Sequence, residues 1–165
     1  MKHKKTHLPV FGIGPIFIII LLFITIVSLL VNELGYLNLF NIDKYISIFE
    51  TIGFIFIIEG ITIWALAVLV CRIDSNIKKN KLVTNGIYRY TRNPIYSAFI
   101  FVFSGLMIIN HNFILLIFPF IYWVALTIIM KMTEEKWLIK KYGQEYEEYA
   151  KRTNRCIPFF PKKGK

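Results

Sequence analysis

Apolar residues in this chain run in long unbroken blocks, with little strand-like alternation. Val10 to Val31 is 22 residues without a formal charge, and the hydrocarbon core of a bilayer takes about 20 residues of helix to cross. The run predicts a membrane span. A cleaved signal peptide is the rival reading, but the apolar part is too long for one and Ser28-Leu-Leu-Val-Asn-Glu33 offers no pair of small residues at cleavage spacing. A second block extends from Tyr45 to Cys71, interrupted only by Glu50 and Glu59, and a third covers Ile95 to Met130 with no formal charge. The third is too long for one helix. Asn110-His111-Asn112 near its middle predicts a turn, hence a helical hairpin whose first arm is short and whose second is kinked at Pro119. The expected fold is all-α and polytopic, with four spans over about 10–31, 46–71, 94–109 and 113–131.

Beyond Met130 the pattern changes to a helical, amphipathic one. Leu138, Tyr142, Tyr146 and Tyr149 recur at spacings of four, four and three, which predicts interfacial helices over 133–152 with a break at Gly143. Pro158 and Pro161 close the ordered part. No repeat and no separate soluble domain stands out, so residues 1–165 read as one domain.

Composition agrees with membrane residence: 56% of residues are hydrophobic and 18% charged. The net charge of +10 is placed asymmetrically. Lys2, Lys4 and Lys5 precede span one, Arg72, Lys78, Lys79, Lys81, Arg89 and Arg92 lie between spans two and three, and ten basic residues follow from Lys131 onward. Such placement predicts that these sides and both termini are cytoplasmic. Topology and attraction to anionic headgroups account for the charge, so nucleic acid is not an expected partner. His3, His7 and His111 do not converge with cysteines or carboxylates at ligand spacing, and no metal is expected. Cys71 and Cys156 both fall on the predicted cytoplasmic side, where a structural disulfide is not expected.

The candidate chemistry concentrates in Leu82-Val-Thr-Asn-Gly-Ile-Tyr-Arg-Tyr-Thr-Arg-Asn-Pro-Ile-Tyr96. Gly86 and Pro94 shape its backbone, Arg89 and Arg92 offer planar forks for carboxylate or phosphate, and the tyrosines offer ring faces to a cation. Each has a bland counterpart: the arginines as membrane-edge anchors, Tyr88, Tyr90 and Tyr96 as an aromatic belt, Glu134 and Glu135 as acidic residues opening a helix. Glu59 falls near the middle of span two, where an ionised carboxylate costs several kcal/mol unless paired. It is expected to face protein, lining a substrate cavity, hydrogen-bonded to a neighbouring helix, or protonated.

Leu82-Val-Thr-Asn-Gly-Ile-Tyr88, Arg92-Asn-Pro-Ile-Tyr96, Glu134-Glu135, Tyr142-Gly-Gln-Glu-Tyr146 with Tyr149, and Arg155-Cys-Ile-Pro158 together resemble the isoprenylcysteine carboxyl methyltransferases and their bacterial and archaeal relatives, over roughly residues 50 to 160. The resemblance implies a membrane-embedded methyltransferase that uses S-adenosylmethionine and is built from helices. Carried over by position, it implies a cofactor pocket of Lys81, Leu82, Val83, Gly86, Tyr88, Asn93, Pro94, Ile95, Tyr96 and Glu135. It also implies substrate contacts from Lys131 and a catalytic group of Arg92, Lys131 and Glu135, to which Glu59 is added as a candidate for the substrate cavity. Two positions depart from the pattern: Asn93 stands where the family carries histidine, and Lys131 where it carries arginine. Lysine lacks the bidentate fork.

Methyl transfer from a sulfonium needs orientation and exclusion of water more than it needs acid or base. A carboxylate acceptor suits such a site, being ionised at neutral pH already. The expected acceptor is a lipophilic carboxylate such as an isoprenylated cysteine, entering from the bilayer. The alternatives are a phospholipid or another small lipophilic amine or thiol as acceptor, a sterol-reductase-like NADPH-dependent membrane reductase, and a non-catalytic membrane scaffold.

Overall fold

The structure is a computed structural model that describes residues 13–71 and 81–161. The lysines of the N-terminal tail and Arg72, Lys78 and Lys79 fall outside the described residues, as do the first residues of the first predicted span.

Six α-helices follow one another among the described residues: α1 Gly14–Glu33, α2 Ile46–Ala65, α3 Pro94–Ile109, α4 Phe118–Met132, α5 Glu134–Tyr142 and α6 Gln144–Arg152. Among the described residues there is no strand, only two isolated bridges, Asn41 with Asn112 and Thr91 with Asn154. Three stretches are long and apolar enough to cross a membrane: Gly14–Glu33, Asp43–Val70 and Leu115–Tyr142. The third expected span, Pro94–Ile109, is apolar but shorter, at 16 residues. Many large apolar side chains point outward, among them Ile19, Phe23, Ile58 and Ile61, as helices solvated by lipid require.

Proline marks three helix starts. Pro15, Pro94 and Pro119 all sit in the first turn, where a missing N–H costs nothing. Pro119 was expected to kink a helix beginning near residue 113. Instead a short 3₁₀ turn at Leu115–Ile117 precedes it, and the α-helix begins at Phe118.

The most extensive helix contact pairs α2 with α3, and glycine makes it possible. A methyl group built on Gly60 would lie 2.7 Å from the Ala98 carbonyl oxygen, and one on Gly105 would lie 2.5 Å from that of Gly53. Backbone therefore packs on backbone at two places seven residues apart on each helix, a small-residue contact of the kind that replaces hydrophobic drive inside a bilayer. Because this face of α2 is committed to α3, Glu59, about 100° round the helix from Gly60, points away. It is exposed, contrary to the expectation that it faces protein, and it lines no cavity described below.

α1 and α4 complete the core on another side of α3. Phe17, Leu21, Phe103, Met107, Tyr122 and Leu126 are buried there, and the Thr25 and Tyr122 hydroxyls meet at 2.9 Å. The hairpin end of the bundle is closed by asparagines. Asn112 Nδ2 lies within hydrogen-bonding distance of the Asn32 and Asn41 side-chain oxygens and of the Leu37 carbonyl, while Asn112 Oδ1 accepts from Ile114 N. At the opposite end the C-terminal helices turn back on residues 81–93, and Gly143, with φ of +58°, makes the sharp corner between α5 and α6.

Candidate functional site

The end of the bundle opposite the hairpin is built by a strap. After α6 the chain runs alongside residues 88–93 and is tied to them repeatedly: Arg92 N donates to Asn154 O at 2.8 Å, Asn93 Nδ2 to Arg155 O at 2.9 Å, and Thr91 Oγ1 to Arg155 O at 3.2 Å. Ser97 Oγ donates to the Cys156 carbonyl, and Tyr149 OH donates to Tyr88 O at 2.6 Å. Asn93, expected in the cofactor pocket, spends its amide on this strap.

The ties bring three charged side chains together. Arg155 grips Glu135 by both oxygens, Nε to Oε1 at 2.6 Å and Nη2 to Oε2 at 3.1 Å. Arg92 Nη1 reaches the same Oε1 at 3.0 Å. Arg92 and Glu135 are nearly enclosed, with side chains 9% and 11% exposed, against 26% for Arg155. The carboxylate bonds hold the Arg155 guanidinium protonated more firmly than usual. Tyr146 completes the cluster, hydrogen-bonded to Arg92 and near Glu135, and burial pushes its hydroxyl up to about 12. One polar atom of the cluster is left over: Arg92 Nε is buried and has no hydrogen-bond partner among the described residues.

Lys131 is not part of this group. It is exposed in the last turn of α4, and Thr133, at φ −122° and ψ −83°, breaks the helix between it and Glu135. The expected i, i+4 relation along one helix therefore does not hold, and the second cation beside Glu135 is Arg155. Glu134, read from sequence as a helix opener, instead accepts from Tyr96 OH at 2.7 Å and from the Gly14 backbone, fastening the start of α1 to α5.

Two cavities flank this region. One, of about 350 Å³ as bounded by the described residues, is lined by Val70, Cys71, Lys81, Leu82, Val83 and Gly86 among others. Four of the expected cofactor residues therefore share one cavity. Its wall includes the end of α2, where the helix widens into a π turn over Leu66–Val70, a local distortion frequent at functional sites. Gly86 is required there twice over: its φ is +58°, and a Cβ would lie 2.6 Å from Cys71 Sγ. Val83 and Tyr88 are buried together with Ala67, and Ile95 packs against them, just beneath this cavity. Pro94 begins α3, and Tyr96 turns to Glu134.

The second cavity, about 240 Å³, is apolar and lies over α3, with Phe56 of α2 on one side and Pro119 and Trp123 of α4 on the other. Ser97 and Cys156 line it too, so it begins one residue from Arg155. Burial raises the Cys156 thiol above its ordinary range.

Sequence reading quoted Arg155 and Tyr146 within motifs but gave neither a role in the site. No spacing rule links positions 92, 135 and 155, because the strap that unites them is a tertiary feature.

The sequence model of the phospholipid methyltransferase family matches residues 51–145, from α2 through the start of α6. Individual relatives agree. The protein-S-isoprenylcysteine O-methyltransferase of Schizosaccharomyces pombe is 36% identical over 88 residues, 51% of this chain and 37% of that protein. A probable protein-S-isoprenylcysteine O-methyltransferase of Oryza sativa subsp. indica is 32% identical over 117 residues, 66% of this chain and 60% of that protein. The methanethiol S-methyltransferase of Crocosphaera subtropica is 30% identical over 86 residues, 51% of this chain and 32% of that protein. The matched part is thus between about a third and three fifths of these relatives' length. Residues 51–145 take in most of α2, the 81–96 segment, α3, α4 and Glu135, while Tyr146 and Arg155 lie just beyond them, and the chain belongs to the phospholipid methyltransferase family.

Proposed function

We propose that this protein is an integral membrane methyltransferase that moves a methyl group from S-adenosylmethionine to a lipophilic acceptor, with a carboxylate such as that of an isoprenylated cysteine as the acceptor group. The observation that carries the reading is the buried Arg92 Nε, without a partner among the described residues, in the cluster with Glu135 and Arg155, while the next residue of the strap, Cys156, lines an apolar cavity. A charged donor facing low-dielectric surroundings favours an anion, and the adjoining cavity favours an apolar tail. Methyl transfer to a carboxylate then needs no base; the protein's part is to hold donor and acceptor in line and keep water out.

In this reading the nucleoside of the donor occupies the cavity lined by Lys81, Leu82, Val83 and Gly86. Glu135 anchors Arg92 and is not the counter-ion of the sulfonium, because both its oxygens already accept from guanidinium. The tyrosine rings of the site are left to face the cation. The acceptor's tail enters laterally along the Phe56–Trp123 cavity. The site end of the bundle is cytoplasmic, an orientation that the placement of the basic residues supports. A relative that methylates methanethiol and the modest 240 Å³ of the apolar cavity favour a second acceptor class, a small thiol.

Detergent-solubilised protein incubated with methyl-labelled S-adenosylmethionine and either N-acetyl-S-farnesylcysteine or a short alkyl thiol tests both. A base-labile methyl ester supports the carboxylate, a base-stable thioether supports the thiol, and no transfer to either overturns the methyltransferase reading. Cysteines introduced singly at positions 85 and 111 of a variant lacking the native thiols test the orientation: an impermeant reagent should reach them from opposite faces of sealed vesicles, and labelling from the same face would refute it.

A further inference from the structure

Two guanidinium groups share one carboxylate in this site, which leaves the cluster with a net positive charge in a nearly enclosed position. Arg155 makes the better contact, a fork across both Glu135 oxygens, while Arg92 touches Oε1 through Nη1 alone. A single arginine beside Glu135 would take the fork itself, since the bidentate arrangement is the stronger one. Arg92 is prevented from doing so because Arg155 already occupies the fork across the two oxygens. Nor is Arg155 free to withdraw: its carbonyl is fixed by Asn93 and Thr91, so its side chain starts from a point tied to the same segment that carries Arg92.

We infer that Arg155 is a positioning residue that occupies the Glu135 fork and so keeps the Nε–H of Arg92 unpaired for a ligand carboxylate. The inference rests on the methyltransferase reading. It adds a residue for which sequence gave no role, and it names the chemistry of what Arg92 meets. That carboxylate has two sources, the amino-acid end of S-adenosylmethionine and the acceptor.

The test uses the full chain in detergent and the variants Arg155→Met, Arg155→Lys and the double variant Arg155→Met with Glu135→Gln. Titration with S-adenosylhomocysteine and with its decarboxylated analogue reads the donor side, and acceptor KM against kcat reads the other. Arg155→Met should lower affinity for the carboxylate-bearing ligand about ten-fold, the scale of one charge-assisted contact, because Arg92 turns its fork to Glu135. The decarboxylated analogue should bind as before. Arg155→Lys should fall between. The double variant should recover most of the loss, because a neutral amide in place of the carboxylate offers Arg92 a single acceptor and releases Nε–H, a rescue that a merely structural Arg155 would not give. A loss seen with S-adenosylhomocysteine assigns the carboxylate to the donor; a loss confined to acceptor KM, with kcat kept, assigns it to the acceptor. A double variant no better than Arg155→Met, or equal loss for both donor analogues, overturns the inference. A wild-type chain that binds neither analogue and turns over no acceptor overturns the methyltransferase reading and this inference together.

Discussion

The contact between α2 and α3 and the cluster at the strap hold the protein together by opposite means. In the first, side chains are missing: Gly53, Gly60 and Gly105 let backbones touch, and no polar group is needed. In the second, long charged side chains from three distant segments meet, and one donor, Arg92 Nε, is left unsatisfied. A contact made only of packing serves to hold helices. A cluster that leaves a buried donor open is held in a less than optimal state by the rest of the fold, as sites that bind are. Changes in the first region should therefore cost stability, and changes in the second should cost binding.

The largest effect is expected at the glycines. Gly60→Leu would push a side chain into the Ala98 carbonyl, where even a Cβ would lie at 2.7 Å. The clash is with backbone, so it is relieved only by parting the helices, at a cost of at least about 3 kcal/mol. Thermal denaturation in detergent should show a large drop in Tm. A Tm within a few degrees of wild type would mean that the helices do not pack as described.

Arg92→Met should do the reverse. Glu135 remains held by both bonds from Arg155, so Tm should change little, whereas methyl transfer should fall by roughly ten- to a hundred-fold, the scale of a lost charge-assisted contact. Parallel measurement of Tm and kcat/KM separates the two. A large fall in Tm with turnover kept would move Arg92 from the site to the scaffold.

The two regions were also unequally legible in sequence. Long apolar runs set the number and approximate extent of the helices, because the bilayer imposes one length scale on all of them. Gly143 was legible as a break because a corner with positive φ needs glycine. Pro119 was misread: periodicity does not show where a helix begins, and a proline that starts a helix resembles one that bends it. Glu59 was misread because burial was inferred from the cost of exposure, while the face of α2 turned to α3 was settled by glycines seven residues apart. Lys131 was placed by assuming an unbroken helix through Thr133. Arg155 and Tyr146 lay hidden for the reason that makes the site: their neighbours are brought together only after the strap folds back.

The strap itself should respond to alkali. Tyr149→Phe removes the bond to Tyr88 O, a loss of about 1 kcal/mol. Wild-type stability carries a matching pH dependence. Burial raises the Tyr146 hydroxyl from 10.0 to about 12, so the folded chain keeps a proton that the unfolded chain gives up first. This contribution is complete below pH 10 and is lost as pH rises from 10 to 12. Tm measured across that range should fall, and Tyr146→Phe should flatten the slope. An unchanged slope in the variant would place the alkaline sensitivity elsewhere.

The smallest effect concerns Cys156, which lines the apolar cavity and is buried, 4% exposed. Its thiol is raised by burial, so at neutral pH it holds less thiolate than an ordinary cysteine, and the thiolate is the reactive form. In a Cys71→Ser background, maleimide should label the folded protein slowly. Its rate should climb with pH only beyond the usual thiol range of about 8.5, and detergent denaturation should abolish the difference. Filling the Phe56–Trp123 cavity with an apolar acceptor should slow labelling further. The thiol lines that cavity, beside the strap that is bonded to residues 91–97. Labelling that is fast at pH 7 and indifferent to acceptor would show that the strap opens readily, and the contrast between a rigid helix pair and a held cluster would then give way to one between a rigid pair and a loose end.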